Sequence, residues 1–239
     1  MKTFFLTSVC LALGLSAVQA QLPEAADILR TARYVATLND TDLTGTLRKS
    51  GVDGSAPIAL FLRENQGIEF QVHDGKIWNK FQLKLTEDEY DLFEGVGDNI
   101  KRFNKAKLTQ PVMGTDLTYE DLAMSFLYWP NSKTIGEESL GIGRDAWKVR
   151  LVNPRAAGNY KTVDVWVHKK SGALMQNNGH RADGKCIKVF KVTEIMNVGG
   201  GEYSVKTMKV QSYGEDGRTT GITSLEFERP KAVKPQGLR

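Results

Sequence analysis

The chain has 239 residues, 41% of them hydrophobic and 25% charged, with 23 glycines, seven prolines and two cysteines. That composition excludes a disordered, collagen-like or disulfide-stapled chain, and the length allows one β-rich domain or two small ones with a sizeable core. A net charge of +4, from 32 basic and 28 acidic residues, is too small to indicate a nucleic-acid partner.

The first twenty residues read as an export address. Lys2 is the only charge before Glu24, Phe4 to Leu15 is apolar, and Val18-Gln19-Ala20 places small residues where a signal peptidase cuts. The apolar run falls short of the ~20 residues needed to span a bilayer. Cys10 lies inside that run, away from a lipidation position. The expectation is a cleaved signal over 1–20 and one exported domain over 21–239. Cleavage leaves a single cysteine, Cys186, so no internal disulfide can form and core packing must carry the stability.

Pro23 to Asn39 is expected to be helical. Ala25, Ile28, Leu29, Ala32, Val35 and Ala36 recur at i, i+3, i+4, i+7 spacing, with Glu24, Asp27, Arg30 and Arg33 on the other face. Beyond Asn39 the period changes to two. Ile58, Leu60 and Leu62, then Ile68, Phe70 and Val72, then Ile77, Phe81, Leu83 and Leu85 alternate with polar or exposed positions. Asn65-Gln66-Gly67 and Asp74-Gly75 separate these runs as hairpin turns. The weakly periodic stretch from Gly95 to Pro111 reads as a connection.

Met113-Gly114-Thr115-Asp116-Leu117-Thr118-Tyr119-Glu120-Asp121-Leu122 then announces a helix. Thr118 is placed as N-cap, Asp121 as the N3 member of a shortened capping box, and Leu117 and Leu122 as a hydrophobic staple. The helix is expected to carry Tyr119, Leu122, Ala123 and Phe126 on one face and to stop at Pro130. From Arg144 strands return through Trp147, Val149 and Leu151, then Val163, Val165 and Val167, then Leu174, Ile187 and Val189, and last Ile222 to Arg229. Lys170-Ser171-Gly172, Ala182-Asp183-Gly184 and Glu215-Asp216-Gly217 punctuate them. The sum is about eleven antiparallel strands and two helices in one domain.

A search for chemistry yields little. There is no Gly-x-Ser-x-Gly elbow and no His-Glu-x-x-His spacing. His73, His168 and His180 lie near strand ends, and Cys186 with His180 and Asp183 is a weak metal constellation. Gly141-Ile142-Gly143-Arg144 mimics a dinucleotide fingerprint, but the strand Trp147 to Leu151 follows where a helix N-terminus is required. Gly199-Gly200-Gly201 is a turn, and Glu87-Asp88-Glu89 and Glu137-Glu138 read as solvated charge. Lys76, Lys80 and Lys84 form either a protected solvent face or a patch for an anionic partner.

Geometry leaves a choice. About eleven strands spaced ~4.8 Å apart make a sheet roughly 50 Å across, whereas two helices, each ~10–12 Å wide, cover about half of it. Either the sheet closes on a packed core, or it is a half-barrel whose helical lid encloses a greasy cavity. The lipid-binding candidates are the inward-facing Ile58, Leu60, Leu62, Ile68, Phe70, Val72, Phe81, Trp147, Val149 and Leu151, with Leu122 and Phe126 facing them from the lid. Each of these positions reads equally as packed core or as cavity wall.

With its exported leader, first helix and β meander, the Met113 to Leu122 segment resembles the outer-membrane lipoprotein-sorting proteins. It is most similar to a LolA-like branch in which a GTDLTYEDL-type segment leads into a helix. The resemblance implies an α+β, mainly β fold: a curved antiparallel sheet forming an unclosed half-barrel, with helices capping its apolar concave face. It further implies a periplasmic carrier that binds acyl chains of lipoproteins or other lipids for transfer toward the outer membrane. On that reading the chain is not an enzyme, needs neither metal nor organic cofactor, and as a monomer meets a membrane-protein donor and acceptor. An envelope sensor or interaction module on the same fold is the alternative. The resemblance transfers no ligand-contact residue.

Overall fold

Ala25, Ile28, Leu29 and Ala32 are all buried on one face of the first helix, α1 (Ala25–Val35), as their spacing requires. The computed structural model describes residues 22–36, 40–63, 67–86, 89–155, 158–199 and 201–230. The expected leader, the Asn39 end of the first helix, Asn65-Gln66, Glu87-Asp88, Gly200 and the basic tail lie outside the described residues. Within them α1 is shorter than the expected Pro23 start, because Glu24 is extended and serves as N-cap.

Six strands follow: β1 (Thr41–Lys49), β2 (Ala56–Arg63), β3 (Gly67–His73), β4 (Trp78–Leu85), β5 (Tyr90–Val96) and β6 (Asn99–Arg102). A crossover over 103–130 carries three 3₁₀ turns and the short helix α2 (Tyr119–Ala123). Seven more strands complete the chain: β7 (Asn131–Ser139), β8 (Asp145–Val152), β9 (Thr162–His168), β10 (Leu174–His180), β11 (Cys186–Gly199), β12 (Glu202–Tyr213) and β13 (Thr219–Phe227).

All thirteen strands form one curved sheet in the order β6-β5-β4-β3-β2-β1-β13-β12-β11-β10-β9-β8-β7. Every pairing is antiparallel. Two meanders thus run outward from a central seam, where β1 meets β13 with Gly45 opposite Phe227. Among the described residues β6 and β7 are edges, so the sheet does not close. The crossover joins those two edges, and it must therefore traverse a whole face of the sheet. That constraint makes it a cover.

Among the described residues the sheet has thirteen strands rather than about eleven, and strands outside the expected runs lack strong alternation. In β1 only Leu43 and Leu47 are large and apolar, and Gly45 between them is obligatory, since a Cβ there would come within 2.0 Å of the Glu226 carbonyl oxygen. The edge strand β7 buries Thr134 and little else, as edges exposed to water can. Part of the expected connection from Gly95 is instead the end of β5 and all of β6, where Glu94 occupies the inward position opposite Phe81. Glu94 is held there by Lys107 of the crossover at 2.9 Å. Ile77, expected inward, sits in the turn before β4 and is 45% exposed.

The expected turn at Asp74-Gly75 forms. Asp74 accepts from the Lys76 and Ile77 N–H groups at 2.9 Å each and from the Asn79 amide at 3.0 Å. Those bonds hold its carboxyl at about 2. Gly75, at φ 93, completes the bend.

Candidate functional site

Apolar packing on the concave face falls into three clusters. The first joins α1 to Phe126, Leu127 and the inward residues of β8 and β9. The second joins the central strands to Val112 and Leu117 of the crossover. The third packs Phe103 and Ala123 on Phe81, Leu83 and Leu92. Between these covers lies a cavity of about 300 Å³, walled by members of all three: Ala32 and Leu127, Phe70 and Phe227, Phe81 and Leu83. It reaches the surface beside Tyr203, which is 65% exposed. Its volume is at the lower end of the ~300–1,000 Å³ typical of small-molecule sites.

The nominated residues divide. Leu60, Leu62, Ile68, Phe70, Phe81 and Leu122 line the cavity. Ile58 and Val72 are packed in the central cluster, and Phe126, Val149 and Leu151 in the α1 cluster. Trp147 lies at the margin of that cluster, with the Lys169 ammonium 4.0 Å from its ring centre. The remaining wall comes largely from Phe190 and Val192 of β11, Val205 and Met208 of β12, and Leu225 and Phe227 of β13. These share the period-two signal of β2 and β3. What the local pattern lacks is the β1–β13 seam that places them beside β2.

The crossover departs from the expected single helix. α2 begins as read, with the Asp121 carboxylate accepting from the Thr118 N–H and hydroxyl, both at 2.7 Å. It ends at Ala123, well before Pro130, because Met124 adopts a left-handed conformation at φ 43. The chain resumes as a 3₁₀ turn over Ser125–Tyr128. That break sends Leu122 to the cavity and Phe126 to the α1 cluster, so the two do not share one lid face.

Asp121 also anchors the cover. Its side chain is 1% exposed and takes the Lys188 ammonium of β11 at 2.8 Å, that side chain being 10% exposed. The Tyr160 hydroxyl donates to the other carboxylate oxygen. Burial, and next the Asp121 charge, push the Tyr160 phenol well above its ordinary range. Next door, burial raises the Glu120 carboxyl, although the Asn159 N–H donates to it at 2.9 Å. Upstream, the Asp116 N–H donates to the Thr223 hydroxyl of β13, and that hydroxyl to the Asp116 carboxylate, each at 2.9 Å. Arg33 of α1 donates to the Leu127 carbonyl at 2.6 Å. The cover is apolar underneath and pinned at a few polar points.

Among the described residues the titratable groups bordering the cavity are Tyr203 and Asp121, the latter with its partners Lys188 and Tyr160. Gly141-Ile142-Gly143 is the turn into β8, as read. His180 shares its Nδ1 with the Gly184 carbonyl at 3.3 Å and the Cys186 thiol donates to the Lys188 carbonyl at 3.5 Å. Among the described residues no group of three or more His, Cys, Asp or Glu could hold a metal ion.

A family model carrying the description of an uncharacterized protein matches residues 81–235, well over half of the chain. The chain belongs to that family. Solved structures extend the comparison to the fold. A DUF1329 family protein from Desulfovibrio piger superposes with a TM-score of 0.63 at 13% identity, over 85% of this chain and 90% of its own. A domain assigned to outer-membrane lipoprotein sorting, from Vibrio parahaemolyticus, gives 0.62 at 15%, over 88% and 95%. A LolA superfamily protein from Nitrosomonas europaea gives 0.60 at 15%, over 87% and 92%. The family's fold in this chain is thus LolA-like, as the resemblance of Met113 to Leu122 implied. No curated protein matches the chain.

Proposed function

We propose that this protein is a non-enzymatic periplasmic carrier that shelters acyl chains of lipoproteins or other lipids on their way toward the outer membrane. The observation that carries the reading is the cavity itself: about 300 Å³ with a mainly apolar wall, between the sheet and its helical cover. The LolA-like fold and the export-like leader support it. Burying a methylene gains about 0.8 kcal/mol, so a chain of about fourteen carbons gains up to roughly 11 kcal/mol before ordering costs. Few polar contacts are then needed for binding.

Uptake requires the crossover to rise from the sheet. Its polar pins run to α1 through Arg33, to β11 through Asp121 and to β13 through Asp116. Further polar links join Lys107 to Glu94 of β5, Lys49 of β1 to the Gly114 carbonyl and the Tyr128 hydroxyl to the Thr86 carbonyl. Between these points the contact is apolar, and a hydrocarbon chain can replace it. A membrane-protein donor and acceptor would load and unload the cavity.

Mass spectrometry of lipid extracted from the purified protein, with titration of a fluorescent fatty-acyl probe, tests the proposal. Copurifying acylated lipid and saturable probe binding are expected. Protein free of lipid that also fails to bind the probe defeats the reading.

A further inference from the structure

We infer that Asn177 makes the cavity selective for chains bearing a neutral carbonyl oxygen, an acyl ester or amide, over plain hydrocarbon; the inference rests on the carrier reading above. Gln176, Asn177 and Asn178 are consecutive in β10, so they alternate between the faces of the sheet. Gln176 and Asn178 share the outer face and satisfy each other, the Gln176 amide donating to the Asn178 carbonyl oxygen at 3.1 Å. Asn177 turns the other way. It lies opposite Val165 on one side and Phe190 on the other, and its side chain enters the cavity wall.

That amide stands apart from the rest of the wall. It is half-buried, and among the described residues its side chain makes no hydrogen bond. The cavity's other strongly polar group, Asp121, is fully engaged by Lys188, Tyr160 and Thr118. A saturated chain seated against Asn177 would strip water from the amide and return nothing, which is unfavourable. A carbonyl oxygen accepts one of its two N–H donors and removes that cost. Charge decides between neutral and ionised oxygens. Among the described residues no lysine or arginine lines the cavity, whereas the Asp121 carboxylate does, so a carboxylate seated against Asn177 would lose hydration without a counter-charge in the wall. A carbonyl held by Asn177 would sit against the β10 part of the cavity wall.

The test is displacement of a fluorescent apolar probe from the purified chain by methyl myristate and by an n-alkane of matched length. Wild type is expected to prefer the ester by about 3- to 10-fold, the range of one neutral hydrogen bond. Asn177→Leu should abolish that preference while binding the alkane at least as well, which also shows the cavity is intact. Should Asn177→Leu lose both ligands, Asn177→Ser, which keeps a donor, should retain the ester preference. A wild type that binds both ligands equally, or an Asn177→Leu or Asn177→Ser variant with the opposite behaviour, overturns the inference and leaves the carrier reading standing. A wild type from which neither ligand displaces the probe overturns both.

Discussion

Replacing Asp121 by alanine removes the acceptor of four hydrogen bonds, from Lys188, Tyr160 and both donors of Thr118. The dominant loss is electrostatic. The Lys188 side chain, 10% exposed beside a carboxylate that is 1% exposed, is left as a buried charge without its partner. Breaking such a pair costs about 3–5 kcal/mol. For a chain of this size that corresponds to a fall in Tm on the order of 10 °C. Urea unfolding followed by circular dichroism measures the change, and an unaltered slope shows that the same unit unfolds. The double variant Asp121→Leu with Lys188→Met removes both charges together, so it should recover most of the loss. About 1–2 kcal/mol should remain, because Tyr160 and Thr118 still lack an acceptor. Loss of under about 1 kcal/mol in Asp121→Ala, or a double variant no more stable than the single one, would refute the view that this buried pair fastens the cover.

Gly45→Ala pushes a methyl group against the Glu226 carbonyl at the β1–β13 seam, and should cost about 1–3 kcal/mol. Hydrogen exchange should localise the loosening to β1 and β13, and uniform exchange across the sheet would contradict the seam's role. Glu120 provides a pH test. Its folded-state pKa is raised by burial from the ordinary 4.5, so the folded protein holds that proton more tightly than the unfolded chain. Its stabilising contribution is complete below about 4.5 and is lost as pH rises through the raised value. Wild type should therefore lose stability relative to Glu120→Gln as pH rises from about 4.5 through the raised value in urea titrations; a constant difference contradicts the assignment.

Much of the fold could be read where side chains repeat a period. β3 and β4 alternate, β2 places Ile58, Leu60 and Leu62 on one face although Ala59 and Phe61 on the other are also apolar, and α1 carries its apolar stripe in full. The Thr118 and Asp121 cap was legible because capping demands particular side chains at fixed spacing. β1, β6 and β7 escaped because a seam glycine or a water-facing edge replaces the alternation. The break at Met124 was illegible for another reason: a left-handed residue other than glycine or asparagine leaves no compositional mark, and Met124 lies where the α1 and Phe81 clusters meet. The site was half visible. Inward residues could be named strand by strand, but whether Leu60 walls a cavity while Ile58 is packed solid depends on where the crossover runs. Lys188 shows the limit most sharply. By sequence it is one more lysine in a strand, and only the folded crossover supplies the carboxylate that makes it a buried pin.

The account stands on hydrocarbon occupying the space beneath the crossover. A long-chain acyl probe carrying a photoreactive diazirine, crosslinked to the purified protein and mapped by peptide mass spectrometry, tests this most directly. Attachment is predicted on Leu60, Phe70, Phe190, Leu225 and Phe227, the wall shared by both meanders. Attachment on outward residues such as Phe61 and Phe93 instead, or none above background, would contradict it.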